Sequence, residues 1–447
     1  MPDKNMPDKN MPEYNLLDEL KWRGLIHQCT DEDGLAKILA TGPQTVYIGF
    51  DPTADSLHVG SMMQLMMLRR FQQAGHRPIA LVGGATGMIG DPSGKSEERN
   101  LLSADQLQKN ITGVAAQMRQ FLHFHDDEQD HDDNQQSNGA VLLNNFEWMS
   151  GYSYLEFLRD VGKSFPVGAM MGKESVRSRL DSEAGLSYTE FSYMLLQAYD
   201  FVHLSREHGC LIQAGGSDQW GNITAGIDLG RRMLGRQLFG ITAPLLTTSD
   251  GRKMGKTESG AIWLDPARTS PYQFYQYWRN VDDADVMRCI AYLTEIQRVE
   301  YEELAEATQA DPGRRVAQNR LAEWLTEFVH GEDGLANALR ASKMLFGGEI
   351  GVQSDASLGE IFADVPSREV SREKLDGEGY WIVEALQDAG LVASGGEGRR
   401  AVKEGGVYVN NIRANDEKQC LDVSNLASET VMVLRKGKKN YALLRFV

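Results

Sequence analysis

Two hydrophobic rhythms divide this chain. From residue 16 to about residue 240, short unbroken apolar runs alternate with stretches of helical spacing. Residues 46–50 and 78–82 predict buried strands, because a short, mostly apolar run suits a strand covered on both faces. Residues 62–74 between them predict a helix, and Gly75 is placed to stop it. Strand, helix and strand with short connections predict a parallel sheet, with ligands bound at the strand C-termini. From about residue 265 to 342 the spacing turns helical throughout, as in residues 316–329. Residues 343–375 lose this periodicity and suit a linker. The last stretch, 377–447, predicts a compact α+β unit with a helix at 381–389 and strands at 407–409 and 430–434.

Composition adjusts this picture in several places. A chain of 447 residues has room for two to four cores, and none of its apolar runs reaches the length of a membrane span. The opening MPDKN is repeated at once and has neither the apolar core of a secretory signal nor the basic, acid-poor character of a transit peptide. Residues 1–15 are therefore expected to be a disordered extension. Cys29, Cys210, Cys289 and Cys420 are scattered without metal-ligand spacing, which argues against a disulfide framework or zinc site and for a reducing cytoplasm. Residues 125–138 hold six acids and two histidines without an apolar anchor, the composition of a solvated surface insertion. The net charge of −17 works against nonspecific adhesion to nucleic acid. Yet residues 391–447 carry ten Lys or Arg against six Asp or Glu, clustered as Arg399, Arg400 and Lys403 and as Arg435, Lys436, Lys438 and Lys439. A basic end on so acidic a chain points to contact with a phosphate backbone.

In residues 51–61 (DPTADSLHVGS), Asp55 or Ser56 is suited to cap a helix entered at His58. The N–H groups and dipole of such a terminus attract anions; His58 can donate to a phosphate oxygen, and Gly60 permits close approach. Residues 251–257 (GRKMGKT) set Lys253 and Lys256 on a glycine-rich loop. That loop suits either a basic surface turn or a mobile arm that meets a pyrophosphate leaving group. Residues 83–96 resemble a P-loop until the spacing is counted, since the first glycine would fall at Ile89. What remains is a glycine-rich loop carrying Thr86 and Asp91, where a ligand's ammonium group could be met. Tyr193, Gln197 and Asp200 fall at i, i+4 and i+7 of an otherwise apolar helix. They suit a pocket for a small polar molecule as well as a solvent-facing stripe. In residues 213–220, Gln213 and two glycines precede Asp218, an acid placed to accept from a ribose hydroxyl. No Ser-His-Asp or Cys-His set and no metal-ligand cluster stands out, so the chemistry expected is positioning and charge stabilisation.

These motifs resemble those of the bacterial-type tyrosyl-tRNA synthetases, which are class I aminoacyl-tRNA synthetases. Residues 47–60 resemble the family's first signature and residues 253–257 (KMGKT) its KMSKS-type loop. Residues 187–200 and 215–220 are similar to its tyrosine pocket, and residues 399–410 to an S4-type RNA-binding module. The likeness covers nearly the whole chain from about Leu16. It implies an α/β fold with a Rossmann-like parallel-sheet catalytic domain at 16–245 and the KMSKS-type loop at 246–262. An α-helical anticodon-binding domain at 263–345, a linker at 346–376 and a small α+β S4-like RNA-binding domain at 377–447 would follow. The implied activity is tyrosine–tRNA ligation in two steps. Tyrosine's carboxylate attacks the α-phosphate of ATP to give tyrosyl-adenylate and pyrophosphate, and the tyrosyl group then passes to the 3′ end of tRNA(Tyr).

By the same resemblance, Tyr47 and Asp200 would recognise the phenolic hydroxyl, and Asp91, Tyr193 and Gln197 the α-ammonium, with Gln213 near the carboxylate. Asp51, Gly60 and Asp218 would lie along the nucleotide and its ribose. Thr53 and His58 would stabilise the phosphate in transit. Lys95 and Arg99 on one loop, with Lys253 and Lys256 on another, would close over the pyrophosphate. Arg399, Arg400 and Lys403 would touch RNA. Mg²⁺ would accompany ATP, with no metal held by the protein's own ligands, in a cytoplasmic homodimer without membrane contact. Two departures stand out. Ser61 replaces the second histidine of the His-x-Gly-His signature, and Ile48 stands where some members place a ribose-contacting cysteine. Ser61 alone favours the alternative, a catalytically silent RNA-binding paralogue that works through its S4-like end.

Overall fold

A computed structural model of the chain describes residues 15–93, 103–124, 138–180, 185–257, 260–345, 348, 350, 351, 353–362, 365–437 and 440–447. Two compact units share the chain, one formed by Met1–Thr269 and Trp278–Leu325, the other by Ser270–Tyr277 and Thr326–Val447. The expected extension and nearly all of the acidic insertion lie outside the described residues.

The first unit is built on a six-stranded sheet of β1 (Gln28–Cys29), β2 (Thr45–Phe50), β3 (Arg77–Val82), β4 (Val141–Asn144), β5 (Ile212–Gly216) and β6 (Phe239–Ala243), in the order β1-β6-β5-β2-β3-β4. Neighbours are parallel except β1 and β6. The apolar runs at 46–50 and 78–82 are β2 and β3, and the helix between them is Val59–Gln73, followed by Gly75 at φ +85°. Chain order reverses between β2 and β5. β3 and β4 extend the sheet to one side and β5 and β6 to the other, so the loops leaving β2 and β5 part and open a crevice.

Helix Tyr188–Glu207 closes the crevice from one face. Its Phe201 and Leu204 pack on Tyr47, Ile79 and Leu81 of the sheet. Its Ala198, Tyr199 and Val202 meet Ala225 and Leu229 of helix Trp220–Leu234. Near its start, Glu190 takes both prongs of the Arg179 guanidinium at 2.9 and 2.8 Å, with the two side chains only 4% and 2% exposed. Removing one partner would strand the other charge in a dry site. Glu190→Ala is therefore expected to destabilise the protein by about 3–5 kcal/mol, read as a lowered thermal unfolding midpoint. A midpoint equal to the parent's would refute this. A short antiparallel pair, β7 (Lys256–Thr257) and β8 (Gly260–Ala261), lies outside the sheet.

The second unit carries a five-stranded sheet in the order β12-β11-β14-β15-β9. Its strands are β9 (Ser367–Val370), β11 (Val407–Val409), β12 (Ile412–Arg413), β14 (Val431–Lys436) and β15 (Asn440–Phe446), while β10 (Tyr380–Trp381) pairs apart with β13 (Cys420–Leu421). Asn410 and Asn411, at φ +48° and +63°, make the two-residue turn from β11 to β12. The expected helix at 381–389 is Ile382–Asp388.

One expectation changes here. The stretch expected to be a linker supplies helix Asp355–Ile361 and the edge strand β9, which runs parallel to β15. Strand periodicity explains why. Met432, Leu434, Ala442 and Leu444 point to a cluster with Ile382, Leu386 and Val402, whereas Val431, Val433, Tyr441 and Leu443 point to the opposite face. Both faces are apolar, so both need covers, and Leu358 and Phe362 cover the second. The basic clusters also differ from each other. Arg399 and Arg400 are exposed on helix Gly395–Lys403, and Lys403 pairs loosely with Glu417 at 3.2 Å. Arg435 is instead only 8% exposed and lies over the Tyr408 ring at 3.8 Å, and Lys436 pairs with Glu397 at 2.5 Å. The first cluster faces solvent, and the described part of the second holds the fold together. Lys438 and Lys439 lie outside the described residues. Among the described residues, no helix is long and apolar enough to cross a membrane.

Candidate active site

Where the strand order reverses, the crevice forms a cavity of about 400 Å³. Its wall is assembled from strand C-termini: Asp51 and Thr53 follow β2, Thr86 and Asp91 follow β3, Asn145 follows β4 and Asp218 follows β5. Helix Tyr188–Glu207 adds Tyr193, Gln197 and Asp200 from one face, so the i, i+4, i+7 stripe faces a pocket and not solvent. Tyr47, His58, Gly60, Gln213 and Lys253 line the same cavity. Lys95 and Arg99 fall outside the described residues, as does the Lys256 side chain.

The closed end is polar but dry. Tyr47 is 1% exposed, and its hydroxyl has no hydrogen-bond partner among the described residues. Burial first, and then the Asp200 charge, push that phenol well above its ordinary range. Asp200, 2% exposed, accepts from Trp148 Nε1 at 2.8 Å and Asn145 Nδ2 at 3.0 Å. Burial nevertheless raises its carboxyl to about 7, with the charge of Asp51 adding to the effect. The folded protein therefore holds the Asp200 proton more tightly than the unfolded chain does. The stability this gives is fully present below pH ~4 and is lost as pH rises through about 7. At neutral pH the Asp200 carboxyl is therefore poised between its two protonation states, beside the buried Tyr47 hydroxyl that no described residue pairs. An unsatisfied buried polar group of this kind costs roughly 1–3 kcal/mol, which an arriving hydroxyl would return.

Midway along the cavity, Asp91 accepts from Ser93 N (3.0 Å), Gln219 Nε2 (2.7 Å) and Asn222 Nδ2 (3.4 Å). Asn222 also donates to Gln197 Oε1 at 3.1 Å, so Asp91 and Gln197 belong to one network whose acceptors face the cavity. Asp51 accepts from Thr86 Oγ1 at 3.0 Å and from the Tyr193 hydroxyl at 3.2 Å. The Gln213 Oε1 is buried without a hydrogen-bond partner among the described residues. Such a set of directed acceptors suits an ammonium group bound beside a polar chain.

At the open end, the two signature segments meet. His58 is itself the N-cap residue of helix Val59–Gln73, in extended conformation. Neither Asp55 nor Ser56 caps the helix, contrary to expectation. Asp55 pairs with Arg268 at 2.6 Å and Lys109 at 3.4 Å, and Ser56 Oγ bonds the Leu57 carbonyl at 2.9 Å. The His58 ring bends back over Gly60, where a Cβ would come within 2.8 Å of Cε1 and 2.9 Å of Nδ1. Gly60 thus makes room for the imidazole. The segment after the lysine loop pairs directly with this one: Val59 N donates to Ile262 O (3.0 Å), and Leu264 N to Leu57 O (2.9 Å). Gly255 sits at φ +82° against Val59, whose Cγ2 a Cβ there would overlap. Lys253 is exposed at the mouth, and its charge partly offsets the burial that raises the Asp218 carboxyl. Ser61 lines the same wall, its N–H donating to His58 O at 2.8 Å.

Sequence reading passed over Gln64, Asn145, Trp148 and Asn222. The signal for Asn145 and Trp148 was their place just past a parallel strand. The acidic insertion before β4 broke the strand–helix rhythm and hid it.

A family model described as "tRNA synthetases class I (W and Y)" matches residues 39–347, and a "Tyrosine--tRNA ligase SYY-like C-terminal domain" matches residues 357–444. The tyrosine–tRNA ligase of Rhodopirellula baltica is 72% identical over 445 residues, spanning 100% of this chain and 99% of that one. The tyrosine–tRNA ligase of Geobacillus stearothermophilus is 48% identical, spanning 97% of this chain and 100% of that one. Among solved structures, the C-terminally truncated mitochondrial tyrosyl-tRNA synthetase of Aspergillus nidulans matches with a TM-score of 0.65 and 32% identity, over 74% of this chain and 94% of that one.

Proposed function

The chain belongs to the class I tRNA synthetases of the tryptophan and tyrosine group, and from that membership we propose how its cleft performs the tyrosine reaction. It activates tyrosine with ATP to tyrosyl-adenylate and pyrophosphate, then transfers tyrosine to the 3′ end of tRNA. The observation that carries the residue assignment is the closed end of the cavity, where the unpartnered Tyr47 hydroxyl adjoins buried Asp200. A phenolic hydroxyl arriving there donates to Asp200 and satisfies Tyr47; phenylalanine would leave the Tyr47 hydroxyl unsatisfied and add no donor to Asp200.

The other assignments follow from depth. Asp91, Tyr193 and Gln197 hold the α-ammonium midway, with Gln213 beside the carboxylate. The carboxylate is thereby aimed outward at the α-phosphate, and Asp51, Gly60 and Asp218 lie along the nucleotide. Thr53 and His58, at the start of helix Val59–Gln73, stabilise the charge that builds on the phosphate in transit. Lys253 and Lys256 take the pyrophosphate, together with Lys95 and Arg99. Mg²⁺ enters with ATP as part of the substrate. Arg399, Arg400 and Lys403, on one exposed helix, contact RNA phosphates. The cytoplasm is the compartment that four free cysteines favour.

Tyrosine-dependent exchange of pyrophosphate into ATP tests this reading. No exchange, together with tight tRNA binding, would favour the silent RNA-binding alternative. Against that alternative stand Asp91, Asp200, Asp218 and Lys253 around one cavity.

A homodimer is part of the same proposal. Tyr154 (64%), Leu155 (76%), Val167 (63%) and Tyr188 (62%) are exposed large apolar residues in one stretch, and the two tyrosine hydroxyls lie 3.4 Å apart. The parent is expected to sediment as a dimer and Leu155→Glu as a monomer. A monomeric parent would end the dimer proposal.

A further inference from the structure

Helix Asp283–Leu293 lies between the stem of the lysine loop and the helix that His58 begins, and neither signature includes it. Near its N-terminal end, Asp285 is 1% exposed and accepts from Ser249 N at 3.1 Å. Arg288, one turn on, donates to Asp285 Oδ1 at 2.6 Å and to Thr247 O at 2.6 Å. Thr247 is the residue bridged to Lys253 across the loop's stem, where Met254 N also donates to Leu246 O at 2.9 Å. Cys289 Sγ meets Met254 Sδ at 3.7 Å. The arm before the turn is thus gripped through the Ser249 N–H and the Thr247 carbonyl, and the arm that carries Lys253 is held to it by the Thr247 bridge and by Met254 against Cys289.

The other end of the same helix is held with equal care. Its C-terminal carbonyls, Ala291 O and Thr294 O, accept from the buried guanidinium of Arg23 at 3.0 and 3.1 Å. They also accept from that of Arg70 at 3.4 and 3.0 Å. Cations at a helix C-terminus complement its dipole. Arg70 belongs to helix Val59–Gln73, the helix that His58 begins. Helix Asp283–Leu293 therefore fixes the Lys253 strand in the same frame as His58.

We propose that Asp285 and Arg288 are positioning residues for adenylate formation, holding the loop stem so that Lys253 meets the departing pyrophosphate opposite His58. This rests on the role assigned above to Lys253. Neither residue touches substrate; both act through the backbone of residues 247–249. The two polar anchors hold main-chain groups of the stem and make no bond to residues 250–252, which are tied instead by their own turn hydrogen bonds and the Arg252–Asp250 pair at 2.8 Å.

Asp285→Asn and Arg288→Gln, made in the full-length protein, should lower kcat for tyrosine-dependent pyrophosphate exchange by roughly 10–100-fold, the effect of displacing a catalytic group by about 1 Å. The KM for tyrosine should stay within about twofold of the parent's, because the closed end of the cavity is untouched. Arg288→Lys, which keeps a donor for Thr247 O, should recover part of the rate. Lys253→Ala should cost less in the Asp285→Asn background than in the parent, as coupled groups do. A kcat within about twofold of the parent in both variants, or a tyrosine KM that rises as much as kcat falls, would overturn the proposal. Arg288 is about one-third exposed, so its variants serve where Asp285→Asn fails to fold. If Lys253→Ala itself leaves kcat intact, the role of the loop falls and this inference with it. If Lys253→Ala is slow while both anchor variants are fast, only the inference falls.

Discussion

Asp200→Ala is expected to lower kcat/KM for tyrosine by about 100-fold or more while leaving the KM for ATP nearly unchanged. The asymmetry follows from depth. Asp200 lies at the closed end with Asn145, Trp148 and Tyr47, whereas His58, Gly60 and Lys253, assigned to ATP and its phosphates, lie at the crevice mouth. Truncation takes the acceptor from three donors at once: one N–H of the Asn145 amide, the Trp148 indole N–H and the tyrosine hydroxyl. Each costs about 1–3 kcal/mol unpartnered, and water entering the space left by the side chain returns only part of that. The pH profile gives an independent check. With the Asp200 carboxyl raised to about 7, kcat/KM for tyrosine in the parent should fall as pH drops below that point, because the protonated acid is the poorer acceptor for a phenol. Asp200→Ala should lose this limb. Equal losses in tyrosine and ATP affinity, or a limb that survives the substitution, would contradict the role given to Asp200.

Gly60→Ala should behave as a histidine mutant. The added methyl would lie 2.8 Å from His58 Cε1 and 2.9 Å from Nδ1, closer than side chains tolerate, so the imidazole must swing away from the helix start. Loss of one donor aimed at developing charge costs about 100–1,000-fold in kcat. We expect both His58→Ala and Gly60→Ala in that range, with tyrosine KM preserved. The double variant should be no slower than His58→Ala alone, since both changes remove the same imidazole. Additive losses would mean that Gly60 matters for a ligand and not for the ring. Ser61 sharpens this expectation, because no second imidazole stands in the signature to compensate.

The parts that could be read from sequence were those whose physics is local. β2, β3 and the helix between them follow from apolar runs and a glycine stop, and the stripe of Tyr193, Gln197 and Asp200 follows from helical periodicity. The parts missed depend on distant chain. His58 as its own N-cap could not be foreseen, because Arg268 and Lys109 occupy Asp55. Asn145 and Trp148 acquire meaning only once β4 takes its place beside β3. Arg435 reads as surface charge until Tyr408 is seen beneath it. In each case the deciding contact lies far along the sequence, where neither spacing nor propensity reports it.

The two-faced sheet of the C-terminal unit bears on how this molecule can be cut. The Asn411 side chain donates to Met344 O (2.6 Å) and Gly348 O (2.8 Å), and the Tyr441 hydroxyl to Leu345 O (3.0 Å). The sheet thereby finishes the helix that precedes it, much as a capping motif would. A fragment begun at Gly377 would discard Leu358, Phe362 and β9 and leave Val431, Val433 and Leu443 open to water. A fragment begun upstream of Met344 keeps that cover. The boundary between the two compact units falls inside helix Val316–Leu345, between Leu325 and Thr326, and not in the loop-like stretch that follows it.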